Sequence, residues 1–245
     1  MISSRRALAS ALALVSLIAV AAPSLSVPAT AAPQYIDGID VSHWQGNIDW
    51  ASVRQDNIQF AFIKATEGTT FVDNRYATNR AGAEAAGVLA GAYHFAQPGG
   101  GTADAIAEAD HYIHTAGLAG RHMLPVLDLE EDNGLSTRAL RRWARAWLAR
   151  VEERLGVKSI IYTSPAFWHD HMGDSTWFAQ DGHRLWIAHY TSDPAPLVPA
   201  SNWAGKGWTI WQHSNRGSVD GIAGDVDLDR YVGTRLGPLK IRNNR

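Results

Sequence analysis

Cysteine is absent from the 245 residues, so no disulfide staples the fold and no thiolate serves as nucleophile or metal ligand. An excess of either charge is also missing: 22 Lys and Arg stand against 24 Asp and Glu, a formal net charge of -2. That balance excludes broad attraction to nucleic acid or to an anionic membrane surface. Only one long apolar run occurs, Ala7 to Ala22, preceded by Arg5 and Arg6 and followed by Pro23 and a small-residue exit ending Ala29-Thr30-Ala31-Ala32. It is short for a membrane span, and its flanks are those of a cleaved secretory leader over residues 1–31. The arginine pair behind Ser4 fits twin-arginine export as well as ordinary secretion. The expected product is extracellular: a monomer with a single domain over residues 32–245, large enough to bury a stable core unaided. Internal repeats and linkers are lacking too.

Against these absences stand ten tryptophans and a regular alternation of short apolar runs with helical patterns. Eight runs read as strands: Tyr35–Val41, Gln59–Ala65, Leu89–Phe95, Met123–Leu129, Ser159–Thr163, Leu185–Tyr190, Trp208–Gln212 and Val226–Tyr231. Helices are expected over Asn47–Asp56, Asn74–Ala86, Thr102–Ala116 and Thr137–Leu155. In the last of these Leu140, Trp143, Ala144, Trp147, Leu148, Val151 and Leu155 fall on one stripe, with Ser136 as N-cap and Gly156 as stop. Trp143 and Trp147 are therefore core residues. Beyond Thr163 the helical signal fades, Pro194, Pro196 and Pro199 interrupt the chain, and the last three connections read as loops. Alternating βα units imply an α/β fold with a parallel sheet, and eight strands suggest a TIM-type barrel whose final third is degenerate.

The chemistry concentrates at Leu124-Pro125-Val126-Leu127-Asp128-Leu129-Glu130. Side chains at i and i+2 of a strand share a face, about 7 Å apart at Cα. Asp128 and Glu130 should thus project together, and two such acids cannot both ionise freely. A proton-holding carboxylic acid beside an ionised one is the apparatus of glycoside hydrolysis. Barrel chemistry sits at the C-terminal strand ends. There the sequence offers Asp40 on the first strand, Tyr93-His94-Phe95 on the third, Tyr162 on the fifth, and Trp186 and His189 on the sixth. Trp211 and Gln212 end the seventh, and Asp225, Asp227 and Asp229 belong to the eighth. Closure makes the first and eighth strands neighbours, which brings Asp40 and Asp227 together facing Asp128 and Glu130. Asp225 and Asp229 read as turn residues after Gly224, and Asp40 reads also as a turn cap. Tyr93 and Tyr162 read equally as pocket donors or as core. Lys64 lies in an apolar strand and needs a partner, for which a carboxylate is expected; Glu67 reads as solvated. His111-x-x-His114 and His169-x-His171 lack a third ligand at zinc-site spacing, so neither a metal nor another cofactor is expected.

Several ordered motifs carry a family resemblance: Gly38-Ile39-Asp40-Val41-Ser42-His43-Trp44-Gln45-Gly46, Phe62-Ile63-Lys64-Ala65-Thr66-Glu67-Gly68, Gly91-Ala92-Tyr93-His94-Phe95 and Asp128-Leu129-Glu130. Ile161-Tyr162-Thr163, Leu185-Trp186-Ile187-Ala188-His189, Trp211-Gln212 and Gly224-Asp225-Val226-Asp227 continue it in order. Together they resemble glycoside hydrolase family 25, the Chalaropsis-type lysozymes. The resemblance implies a flattened barrel of five βα units followed by three strands with reduced helices. It also implies hydrolysis of the β-1,4 bond between N-acetylmuramic acid and N-acetylglucosamine in peptidoglycan glycan strands. Glu130, Asp128, Asp40 and Asp227 would then be catalytic, with Tyr93, His94, Phe95, Tyr162, Trp186, His189, Trp211 and Gln212 contacting substrate. Glu130 would be the general acid and base, kept protonated by the neighbouring acids. Asp128, ionised, would attack directly or support the substrate's 2-acetamido group, the second being favoured. Two other readings are a metal-dependent polysaccharide deacetylase and a catalytically inactive peptidoglycan-binding barrel.

Overall fold

The computed structural model describes residues 34–242; the leader expected over 1–31 lies outside them. Eight strands close a barrel. They are β1 (Tyr35–Val41), β2 (Phe60–Glu67), β4 (Leu89–Phe95), β5 (Val126–Asp128), β6 (Ile160–Thr163), β7 (Arg184–Ala188), β8 (Ile210–Gly217) and β9 (Val226–Val232). The two-residue β3 (Phe71–Val72) hooks back antiparallel on β2. Around the barrel the order is β1-β9-β8-β7-β6-β5-β4-β2, with β1 pairing β2 to complete the ring. The eight strands expected from the sequence are all present, but the sheet is mixed. β9 runs antiparallel to both β8 and β1, because the turn after β8 is too short for the crossover that a parallel strand requires.

Period-2 alternation divides each strand between two cores. Inside the barrel lie Phe60, Phe62, Tyr93, Val126, Ile160, Tyr162, Trp186, Ile210 and Tyr231. Outside, Ile39, Ile63, Ala92, Leu127, Ile161, Ile187 and Trp211 pack against the helices. Interior space is tight enough to fix one glycine: a Cβ on Gly38 would sit 2.3 Å from the Phe60 ring.

Helices α1 (Trp50–Gln55), α2 (Tyr76–Ala85), α3 (Thr102–Ala116) and α4 (Thr137–Leu155) form the outer layer. α4 follows its pattern: Ser136 Oγ accepts from the Ala139 amide at 3.4 Å, and Gly156 closes the helix at φ 69°. Trp143 and Trp147 are fully buried on its inner stripe. The loop expected after Thr163 instead carries α5 (Pro165–Asp170) and α6 (Trp177–Gln180). Ser164 caps α5, and Pro165 stands in its first turn, a start signal that outweighs the weak periodicity downstream. Between β7 and β8, Pro199–Ala204 coils once with φ of 50–57° at residues 200–203. This left-handed path is held by Trp203 Nε1 donating to His183 O at 2.8 Å and the Ala200 amide donating to Asp174 Oδ1 at 3.0 Å.

Candidate active site

The acids meet at the barrel mouth where the parallel strands end. Asp40 on β1 is the direct register partner of Asp227 on β9. Like charges facing across an antiparallel pair are destabilising, and β9's reversed direction is what brings its first residues to this end. Asp128 closes β5, opposite Phe95 and Tyr162, and Glu130 lies two residues further on the same face. All four acids line one cavity of about 350 Å³. Asp229, expected in a turn, sits one interior position deeper, fully buried, and accepts from Trp186 Nε1 at 2.8 Å.

Gln212 organises the centre. Its Nε2 donates to Asp40 Oδ2 at 2.7 Å, while its Oε1 accepts from Tyr162 at 2.9 Å and from Tyr190 at 2.7 Å. With two hydroxyls sharing one oxygen, either can turn to a substrate without stranding the amide. Lys64 is buried and donates to Glu67 Oε2 at 2.6 Å, so its partner is the glutamate expected to be merely solvated. Glu67 in turn accepts from Gln97 Nε2 at 3.1 Å. In contrast, Asp128 Oδ1 and Asp229 Oδ2 are buried with no partner.

Burial is the largest influence on each of these acids, and it raises all of them. Asp40 is pushed well above the carboxylate range by burial and then by Asp229 and Asp227, with Gln212 opposing. Asp227 is raised to about 6 by burial, with a hydrogen bond to Asp40 holding it down. Asp128 is pushed well up by burial and by Glu130, against the pull of Lys64. Glu130 rises by crowding of its carboxyl and then by Glu131 and Asp227. Its residue surface stays open to the cleft, whereas Asp128 is enclosed. Asp128, expected from the sequence to be ionised, is the more deeply enclosed of the two, and its burial favours the protonated form.

A second cavity of about 830 Å³ adjoins the first and shares Glu130, Tyr162 and Tyr190 with it. Glu130 therefore stands on the boundary between two compartments, with Asp128, Asp40 and Asp227 confined to one. A sequence model of glycosyl hydrolases family 25 matches residues 39–222. The chain belongs to this family. Lysozyme M1 of Streptomyces globisporus is 38% identical over 218 residues, spanning 85% of this chain and 72% of its own. The N,O-diacetylmuramidase of Chalaropsis sp is 32% identical, spanning 81% of this chain and 99% of its own. The crystal structure of a bacterial lysozyme from Streptomyces coelicolor superposes with a TM-score of 0.78 at 38% identity, covering 86% of this chain and 98% of that one. The protein is accordingly a glycoside hydrolase.

In this family 25 enzyme Tyr93, Phe95, Tyr162, Trp186 and Gln212 line the acid cavity as expected, and His189 lines the second one. His94 and Trp211 do not join them. His94 is fully buried on the outer face of β4, with Nε2 2.7 Å from Glu108 and Nδ1 2.8 Å from Thr66 Oγ1, stacked on Trp147. Trp211 belongs to the same outer core and donates to His189 O at 2.7 Å. Both have the wrong strand parity to reach the interior, being one residue from Tyr93 and Gln212 respectively. Of the histidine pairs, His111 Nε2 is 2.9 Å from Phe71 O and His171 Nδ1 is 2.6 Å from Asp132, while His169 lines the second cavity. Sequence reasoning left Tyr190, Trp44 and Asp229 out of the site. Asp229 was legible from its i+2 relation to Asp227, and Trp44 from its place in the Gly38–Gly46 motif.

Proposed function

We propose that this glycoside hydrolase is a secreted, monomeric lysozyme cutting the β-1,4 bond between N-acetylmuramic acid and N-acetylglucosamine in peptidoglycan. The observation that carries the reading is the buried, partnerless Asp128 Oδ1 beside Glu130. An acetamido sugar in the acid cavity supplies the N–H that this oxygen lacks. That hydrogen bond favours ionised Asp128 and leaves the pair's proton on Glu130. Substrate thus sets the protonation that the reaction needs.

Glu130 then gives its proton to the glycosidic oxygen as the C–O bond breaks. The acetamide carbonyl oxygen attacks the anomeric carbon from the opposite side, forming a cyclic oxazolinium ion whose N–H faces Asp128. Once the leaving sugar departs, Glu130 takes a proton from water, the water oxygen attacks the anomeric carbon, and the ring opens with net retention. Asp40 and Asp227 set the field around Asp128, and Tyr162 or Tyr190 donates to the acetamide oxygen after releasing Gln212. Extracellular localisation rests on the leader pattern of residues 1–31. Among the described residues no helix is long and apolar enough to cross a membrane.

Mass spectrometry of fragments from purified peptidoglycan tests the reading. The expected new reducing end is N-acetylmuramic acid, formed at an unchanged rate in strong chelator. Reducing-end N-acetylglucosamine would refute the bond assignment. Loss of acetyl groups without new reducing ends would indicate the deacetylase, and binding without any product the inactive barrel.

A further inference from the structure

The indole of Trp44 is 82% exposed, the most open of the large apolar side chains described, yet it stands on the edge of the acid cavity. A solvated tryptophan of this kind is costly unless something covers it. Its mounting is rigid. Ser42 and Gln45 form a reciprocal capping box around the 3-10 turn His43–Gln45, and Gln45 Nε2 reaches Asp225 O at 3.4 Å. The imidazole of His43 backs the indole, 4.6 Å between ring centroids and tilted by 35°. His43 is itself pinned by Asp73, 2.8 Å from Nδ1 and 3.0 Å from the amide. A ring supported from behind and open in front is preorganised for stacking.

Topology decides what it stacks on. Trp44 follows β1, whereas the second cavity opens above β6 and β7, lined by Ser164, Pro165 and Ala166 after the first and by His189, Tyr190 and residues 197–202 after the second. In the barrel order β6 lies four strands from β1 by either route, and β7 three by way of β9. The two features thus face each other across the mouth, with the acids between them. Glu130 borders both cavities, and a general acid must touch the oxygen joining the attacked sugar to the leaving sugar. The attacked sugar therefore occupies the acid cavity and the leaving sugar the second one. From this we infer that Trp44 is the stacking platform for the next sugar on the non-leaving side. A glycan strand would then lie with its non-reducing end over Trp44 and its reducing end towards Leu197 and Pro199. The inference rests on the glycosidase reading of the same site and adds a polarity and a specificity residue to it.

Calorimetric binding of a peptide-free peptidoglycan hexasaccharide to Glu130→Gln protein tests this, with Trp44→Ala and Trp44→Phe added in turn. The alanine variant is expected to bind roughly tenfold more weakly and the phenylalanine variant less than about threefold more weakly. Equal affinity for the alanine variant, or a phenylalanine variant as weak as alanine, would overturn the platform. On active protein, Trp44→Ala should raise KM far more than it lowers kcat. It should also abolish any preference for cuts that leave several sugars on the non-reducing side. Loss of preference on the reducing side instead would reverse the polarity and refute it. Failure of the glycosidase reading would show separately, as wild-type protein releasing no reducing ends, while the calorimetry still decides the platform.

Discussion

Asp227→Asn should make the protein more stable and less active, and the stability gain should depend on pH in a way that identifies its origin. Asp227 is half-buried and titrates near 6 rather than 3.8. Below pH 3.8 both the folded and unfolded chains hold its proton. Between there and pH 6 the unfolded chain releases the proton while the folded one keeps it, so stability falls as pH rises. Above pH 6 the loss is complete, with a ceiling of about 3 kcal/mol from the size of the rise. Solvent reaching the carboxyl should reduce this to roughly 1–2 kcal/mol. Asparagine keeps the size and a hydrogen-bonding partner for Asp40 but cannot ionise. Urea unfolding at pH 4 should therefore give nearly matching stabilities for variant and wild type, and at pH 7.5 the variant should be more stable by that amount. A variant less stable at pH 7.5, or equally stabilised at both values, would refute the argument that burial makes the Asp227 charge costly to the fold.

Three further outcomes follow from the same geometry. Gly38→Ala should lower stability by about 1–3 kcal/mol in thermal unfolding, since its Cβ would meet the Phe60 ring at 2.3 Å; an unchanged midpoint would mean the barrel interior is loose there. Trp186→Phe removes the 2.8 Å donor to buried Asp229 and should cost about 1–3 kcal/mol in urea unfolding; an unchanged stability would mean that this hydrogen bond contributes nothing to the fold. Activity should fall as pH rises through the raised value of Glu130. Because Glu131 contributes to that rise, Glu131→Gln should move this basic limb of kcat/KM to lower pH. A limb that stays in place would remove Glu130 from the titration.

Much of the site was legible because strand parity is a strict rule. Asp128 and Glu130 share a face as their spacing requires, and Asp40 meets Asp227 once the first and last strands close the ring. The same rule, applied residue by residue, rejects His94 and Trp211, which were included only for lying near strand ends. The direction of β9 was harder to see. An apolar alternating run carries no mark of parallel or antiparallel pairing, and only the shortness of the preceding turn reveals it. α5 was hidden because a six-residue helix has little periodicity, although Ser164-Pro165 announces its start. Which of two adjacent acids holds the proton depends on enclosure by distant segments, and spacing alone could not rank Asp128 against Glu130.

The general acid and base role of Glu130 is the claim on which the mechanism turns. The release of reducing ends from purified peptidoglycan by Glu130→Gln and by wild-type protein, at saturating substrate, measures it most directly. The account predicts a loss of at least roughly 10²-fold in kcat, with the fold intact by circular dichroism and with undiminished binding of the glycan. A variant that lyses cell walls at near the wild-type rate would contradict it.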